Sequence, residues 1–162
     1  MRRVSGSGYT EAIEHAYGLL PSGIADRLVG VDFLCGVDPR FAGLEGYDQL
    51  PSTWLGRSPA TTASAHCDAT RRGTVVLPVP VVPAIIIHEL GHILDHRLGF
   101  DVLLAPLSWY AAMNRDEAFA CAFGVWIGGP LQEHWANQGL WENFVRQPKA
   151  LAYFEALADV SA

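Results

Sequence analysis

The stretch that most limits what this chain can become is Val82 to Leu98, an apolar run carrying His88-Glu89-Leu90-Gly91-His92. Pro83 suits the first turn of a helix, because its fixed φ is helical and the N–H it lacks would be unpaired there. From Ala84 onward only Gly91 resists a helix, and Gly99 is placed to end it. On that helix His88 and His92 are four residues apart, one turn above the other on a single face. Two imidazoles so placed can converge on one metal ion. Glu89, about 100° further round, can reach a water on that ion without ligating it. Ile85, Ile86, Ile87, Leu90, Ile93 and Leu94 surround the motif, so the helix runs through a core. Two histidines and a glutamate are costly to bury without a partner, and a cation is that partner. Gly91 costs about 1 kcal/mol mid-helix relative to alanine, which points to a neighbour packed closely on its face.

Catalytic zinc usually takes three protein ligands and a water, so the two histidines leave one place to fill. His96 lies a further turn along the same helix, which carries its ring past a metal held by His88 and His92. Leu98 cannot coordinate, and this excludes the pattern H-E-x-x-H-x-x-G-x-x-H. Asp95 reads as a carboxylate that orients a metal histidine, or as a surface residue. Glu117, within Asn114-Arg115-Asp116-Glu117-Ala118-Phe119-Ala120, is the favoured third ligand. Asp116 comes next, as a rival ligand or a second orienting carboxylate. Asn114 is a good cap for a helix running through Trp126, and Ala118 and Ala120 permit close approach to the first helix. The plainer role for Asp116 and Glu117 is to complement the helix dipole. Tyr110 and His134 are candidate donors to a developing oxyanion.

The 162 residues, 50% of them hydrophobic, suffice for one core, and the expectation is one domain over residues 1–162 with a flexible arm at 1–8. Thr10 can cap a first helix, which Pro21 to Gly23 breaks. Ile24 to Leu28 adds a turn before an apolar strand from Val29 to Cys35. Asp38 opens an irregular loop in which Trp54 is a packing anchor. Thr62 to Asp68 and Thr74 to Leu77 make a hairpin with Gly73 at positive φ, and the second strand feeds into the motif helix. Pro148 to Ala158 forms a last helix with Leu151, Phe154 and Leu157 inward. The fold class is therefore α+β, a small mixed β-sheet packed on the motif helix and on the following glutamate-bearing helix.

A net charge of −6 without a basic stripe argues against nucleic acid as a partner. The longest apolar stretch, Val75 to Ile87, is interrupted by Pro78, Pro80 and Pro83 and is too short to span a bilayer, so no membrane partner is expected. Arg2-Arg3 is followed by Val-Ser-Gly-Ser-Gly rather than an apolar run, which does not read as a secretory signal. Cys35, Cys67 and Cys121 are odd in number and widely spaced, as free thiols of a reducing, cytoplasmic compartment would be. Of the 11 basic residues only Lys149 is lysine, a bias common in GC-rich bacterial or phage genomes.

With His88-Glu89-Leu90-Gly91-His92 followed by a helix carrying Glu117, the chain resembles a gluzincin. Residues 62–127 resemble the core of small bacterial and phage zincin-like metallopeptidases, and Glu117-Ala118-Phe119-Ala120 is similar to the ImmA/IrrE group. The resemblance implies a zincin-like fold and a Zn²⁺ cofactor held by His88, His92 and Glu117. It implies hydrolysis of a peptide or protein substrate with Glu89 as catalytic base, and an extended substrate paired with the sheet edge near Thr74 to Leu77. Thermolysin-like enzymes carry an aspartate four residues after the ligand glutamate to orient a zinc histidine. Here that position is Cys121, so the orienting partner is expected elsewhere, at Asp95. The alternative is a zincin-fold protein serving a structural, assembly or binding role, for example in a phage particle, with a protein assembly partner and little peptidase activity. The intact Glu89 argues against it, since a purely structural site has no need of that residue.

Overall fold

The structure, a computed structural model, describes residues 7–36, 66–68, 73–77, 80–129 and 138–159. Helix α1 (Ser7–Gly18) buries Ala12, Ile13 and Ala16 on one side. It begins ahead of Thr10, the cap expected from sequence, because Tyr9 packs against the core and draws the preceding turn into the helix. The short helix α2 (Ser22–Arg27) follows Pro21 and seats Ile24 and, just past its end, Leu28 in the core.

Three strands form one sheet in the order β1 (Asp32–Cys35), β3 (Thr74–Leu77), β2 (His66–Asp68). β1 runs parallel to β3, from Asp32 opposite Thr74 to Cys35 opposite Leu77. β2 runs antiparallel to it, with His66 opposite Val76 and Asp68 opposite Thr74. The antiparallel β2–β3 pairing agrees with the expected hairpin over residues 66–68 and 74–77, residues 62–65 and 69–72 lying outside the described residues, and Gly73 sits at φ +61°. One expectation is overturned. Thr74 to Leu77 is the middle strand, fully buried, with a neighbour on each side, so it offers no edge to an extended substrate. An all-apolar Val75-Val76-Leu77 belongs at the centre, where both faces are covered.

β3 leads towards α3 (Pro83–Arg97), which has Val82 as N-cap and Pro83 in its first turn. Its far end closes with two hydrogen bonds, Gly99 N–H to the His96 carbonyl and Phe100 N–H to the Asp95 carbonyl, each 3.0 Å. This is the pattern that Gly99, at φ +71°, makes possible. A connection through a short 3₁₀ turn (Ala111–Met113) reaches α4 (Arg115–Gly128). Asn114 caps α4 as expected, its side-chain oxygen accepting the Glu117 N–H at 2.9 Å. The chain ends with α5 (Gln138–Val145), which the sequence reading did not foresee, and α6 (Pro148–Asp159).

α4 is held from two sides. On one side Phe119, Phe123 and Trp126 meet Phe154 of α6 at ring separations of 5.4, 5.9 and 5.2 Å. Phe144 of α5 meets the same ring at 6.2 Å. Each fully buried phenylalanine contributes about 1.5–3 kcal/mol. On the other side α4 lies against α3, the contact that builds the site. No helix among the described residues is long and apolar enough to cross a membrane.

Candidate metal centre

α3 and α4 meet through matched stripes. His88, Gly91 and His92 stand at i, i+3 and i+4 on α3; Glu117, Ala120 and Cys121 stand at i, i+3 and i+4 on α4. A helix puts such residues on one face. The missing side chain of Gly91 sets how near the two backbones come. A Cβ there would lie 3.0 Å from the Ala120 Cα and 3.1 Å from Phe123 Cδ1. That explains why a glycine is tolerated in the middle of an otherwise apolar helix.

At this separation the Glu117 carboxylate reaches both histidines. Its Oε2 is 3.1 Å from His88 Nε2, and its Oε1 is 3.6 Å from His92 Nε2. The two rings stand nearly perpendicular, with centroids 4.9 Å apart. As third residue of its helix and behind a capping Asn114, Glu117 could have folded back onto the cap's own N–H; it turns to the imidazoles instead. On the other edge of His88, Nδ1 is 4.0 Å from the Cys121 thiol. His88, Glu117 and Cys121 thus have donor atoms within 4.8 Å of one another.

The two contacts of the Glu117 carboxylate have the spacing a zinc ion requires, while the residues whose donor atoms all lie within 4.8 Å of one another are His88, Glu117 and Cys121 and do not include His92. Bonds of about 2.0–2.1 Å in a tetrahedron separate neighbouring donors by about 3.3–3.4 Å, and the two nitrogen–oxygen distances of 3.1 and 3.6 Å bracket that value. Cys121 meets the opposite ring nitrogen of His88 from the one that faces Glu117, so the carboxylate and the thiol could not serve one ion through the same His88 nitrogen.

The charges of the four polar groups are strongly coupled. Burial opposes a charge on His88, but hydrogen bonds to Cys121 and Glu117 and the charge of Glu89 outweigh it, and its pKa is pushed up to about 10. Burial and the neighbouring His88 charge bring His92 down to about 4. Burial works against the Glu117 carboxylate, yet the two histidines hold it below its ordinary value. Burial raises Glu89 to about 7, with Glu117 adding to the effect. At neutral pH one imidazolium therefore pairs with one carboxylate, and the second imidazole is neutral. A cation placed among these groups would replace that single proton.

Tyr110 belongs to the same site. Its hydroxyl donates to Glu117, and burial together with that carboxylate pushes its pKa up to about 12. Its ring lies 6.3 Å from that of His88. Leu104, Leu107 and Ala111 anchor the connection from inside, and the Ser108 hydroxyl accepts the Ala111 N–H at 3.2 Å. The same connection leaves Leu103, Trp109 and Met113 largely exposed. His134, and likewise Trp54, lie outside the described residues.

Two expected orienting carboxylates are placed elsewhere. Asp95 is fully buried and bonded to Arg115 through both oxygens, at 2.9 and 3.3 Å. Seven residues beyond His88, it faces the end of α4 where Arg115 enters. Asp116 is exposed and takes the same guanidinium at 3.1 Å, adding only a long-range charge near His92. Arg115 was not singled out from sequence. It also donates to the Val102 carbonyl at 2.8 Å and lies 4.7 Å over the Phe100 ring. The only advance sign of it was an arginine at the first position of α4, where helix-dipole logic favours an acid. His96 faces Phe100, with ring centroids 5.5 Å apart.

Comparison with protein-family models, with curated proteins and with solved structures finds no match to this chain.

Proposed function

We propose that this chain is a zinc-dependent metallopeptidase of zincin-like fold. The observation that carries the reading is the Glu117 carboxylate set across the Nε2 atoms of both His88 and His92. His88, His92 and Glu117 would hold the ion, leaving one position for water. Zinc there supplies a bound water of pKa about 7 and a Lewis acid to polarise a carbonyl oxygen.

The residues around it divide the remaining work. Glu89, its carboxyl lifted to about 7 by burial, is poised to take a proton from the attacking water and pass it to the leaving amine nitrogen. The water oxygen bonds to the peptide carbonyl carbon, the C–N bond breaks, and the proton ends on the amine. Tyr110, kept protonated, can donate to the oxygen on which negative charge develops. A cytoplasmic setting belongs to the same proposal, supported by the free thiols of Cys35 and Cys121.

Glu89→Gln tests the reading. Zinc content by mass spectrometry is expected to stay at one ion per chain, while cleavage of a peptide library falls by about 10²–10⁴-fold. Equal cleavage by the variant, or a zinc-loaded wild type that cuts nothing, would sink the peptidase. The exposed Leu103, Trp109 and Met113 beside the site favour, as second reading, a zincin-fold assembly component, which Glu89→Gln would leave competent.

A further inference from the structure

We infer that Cys121 is the positioning residue for His88: its sulfur holds the Nδ1–H so that Nε2 is turned to the ion. The inference rests on the zinc reading above and extends it to a residue for which a thiol is an unusual choice. Glu117 and Cys121 are one turn apart on α4, and the contact of Gly91 with Ala120 fixes that helix against α3. The result is that α4 takes hold of both edges of one imidazole, Glu117 Oε2 at 3.1 Å from Nε2 and Cys121 Sγ at 4.0 Å from Nδ1.

A neutral histidine has a single N–H. When Nε2 gives its lone pair to a metal, that hydrogen must sit on Nδ1, and an acceptor there fixes the tautomer and the ring angle. Both His88 and Cys121 are buried, so the contact is shielded from competing solvent. Sulfur is a weak acceptor. It can fix the tautomer while passing less negative charge into the imidazole than a carboxylate would. The expected consequence is a centre that binds zinc less tightly than the same site with an aspartate at this position.

The test uses the full chain loaded with zinc and measures affinity by chelator competition. Alongside it, the His88 Nδ1–H resonance is followed by nitrogen-edited NMR. Cys121→Ala is expected to weaken zinc binding by about 10–100-fold and to lose the protected Nδ1–H signal. Cys121→Ser, whose shorter side chain falls short of the ring, is expected to do the same and guards against a folding defect in the alanine variant. Cys121→Asp should restore wild-type affinity or exceed it. Zinc binding within twofold of wild type in the alanine and serine variants, with the signal intact, overturns the inference. So does an aspartate variant that fails to recover, since the sulfur would then act only by filling space. A wild type that binds zinc but cleaves no peptide sinks the peptidase and leaves Cys121 in its role, whereas a wild type without zinc affinity overturns both.

Discussion

The α3–α4 pair is joined at two places by charged side chains, and the two joints differ in kind. At one, Asp95 and Arg115 face each other with both carboxylate oxygens bonded and the guanidinium further committed to Val102, Asp116 and the Phe100 ring. At the other, one Glu117 carboxylate is divided between two imidazoles at 3.1 and 3.6 Å. Arg115 and Glu117 are only two residues apart, yet their side chains leave the helix on different sides. The first joint is saturated: each group has a partner of its own, and the assembly clamps the start of α4 to the end of α3. The second is shared: one carboxylate serves two rings. Convergence of electron pairs on one point is costly for stability alone, and it is what a cation site requires.

The contrast breaks first at the metal. On the proposed zinc reading Glu117→Gln removes one of three ligands, and it should cost on the order of 4 kcal/mol of zinc binding, or about a thousandfold in affinity. In the metal-free protein the change removes the carboxylate partner of the His88 imidazolium, a smaller loss because the glutamine oxygen can still accept from Nε2, which equilibrium unfolding in the presence of a chelator would check. Arg115→Ala should do the reverse. It leaves Asp95 buried and unpaired, so unfolding should become easier by about 3 kcal/mol with the proposed zinc ligands intact. The sign of its pH dependence also follows. Burial already holds the Asp95 pKa above its ordinary value, and without the arginine it rises further. A carboxyl with a raised folded pKa favours folding when protonated, and that advantage disappears as pH climbs through the folded value. The Arg115→Ala deficit should therefore shrink in acid, a trend that thermal melts across the acid range would show.

Smaller effects sharpen the comparison. Gly91→Ala raises helix propensity by about 1 kcal/mol, yet its Cβ would meet Ala120 and Phe123 at 3.0 and 3.1 Å. The backbone contact at Ala120 cannot rotate away, so overpacking should win, with a net loss of about 1–2 kcal/mol and weaker zinc binding as Glu117 is pushed back. The smallest effect is protonic. With His88 at about 10 and His92 at about 4, zinc binding near pH 7.5 should release about one proton. Calorimetry in buffers of different ionisation enthalpy would read that number, and affinity should rise by roughly tenfold per pH unit as pH approaches the His88 value.

Much of this was legible along the chain because helices impose their own geometry. The four-residue spacing of His88 and His92, Pro83 and Gly99 at the ends, Asn114 as cap and the small residues near Glu117 are local facts, and the helices they specify bring those three polar side chains together. The hairpin at Gly73 was legible for the same reason. The place of Thr74 to Leu77 in the middle of the sheet was not, because a short apolar strand reads alike at a centre and at a protected edge. Nor was α5, whose apolar residues become informative only once Phe144 has Phe154 to pack against.

Which partner each polar group received was the decision of tertiary structure. From sequence, Asp95, with Asp116 behind it, is expected to orient a histidine and Cys121 is passed over, because spacing along one helix does not say which group of the next will reach the ring. That was set by the angle and separation at which α4 settles on α3, fixed by a glycine on one helix, an alanine on the other and an aromatic cluster behind. A slip of one helical turn in that contact would exchange the carboxylate for the thiol. The chain itself wrote the two stripes of side chains; packing density, which no local spacing encodes, chose the register in which they face each other.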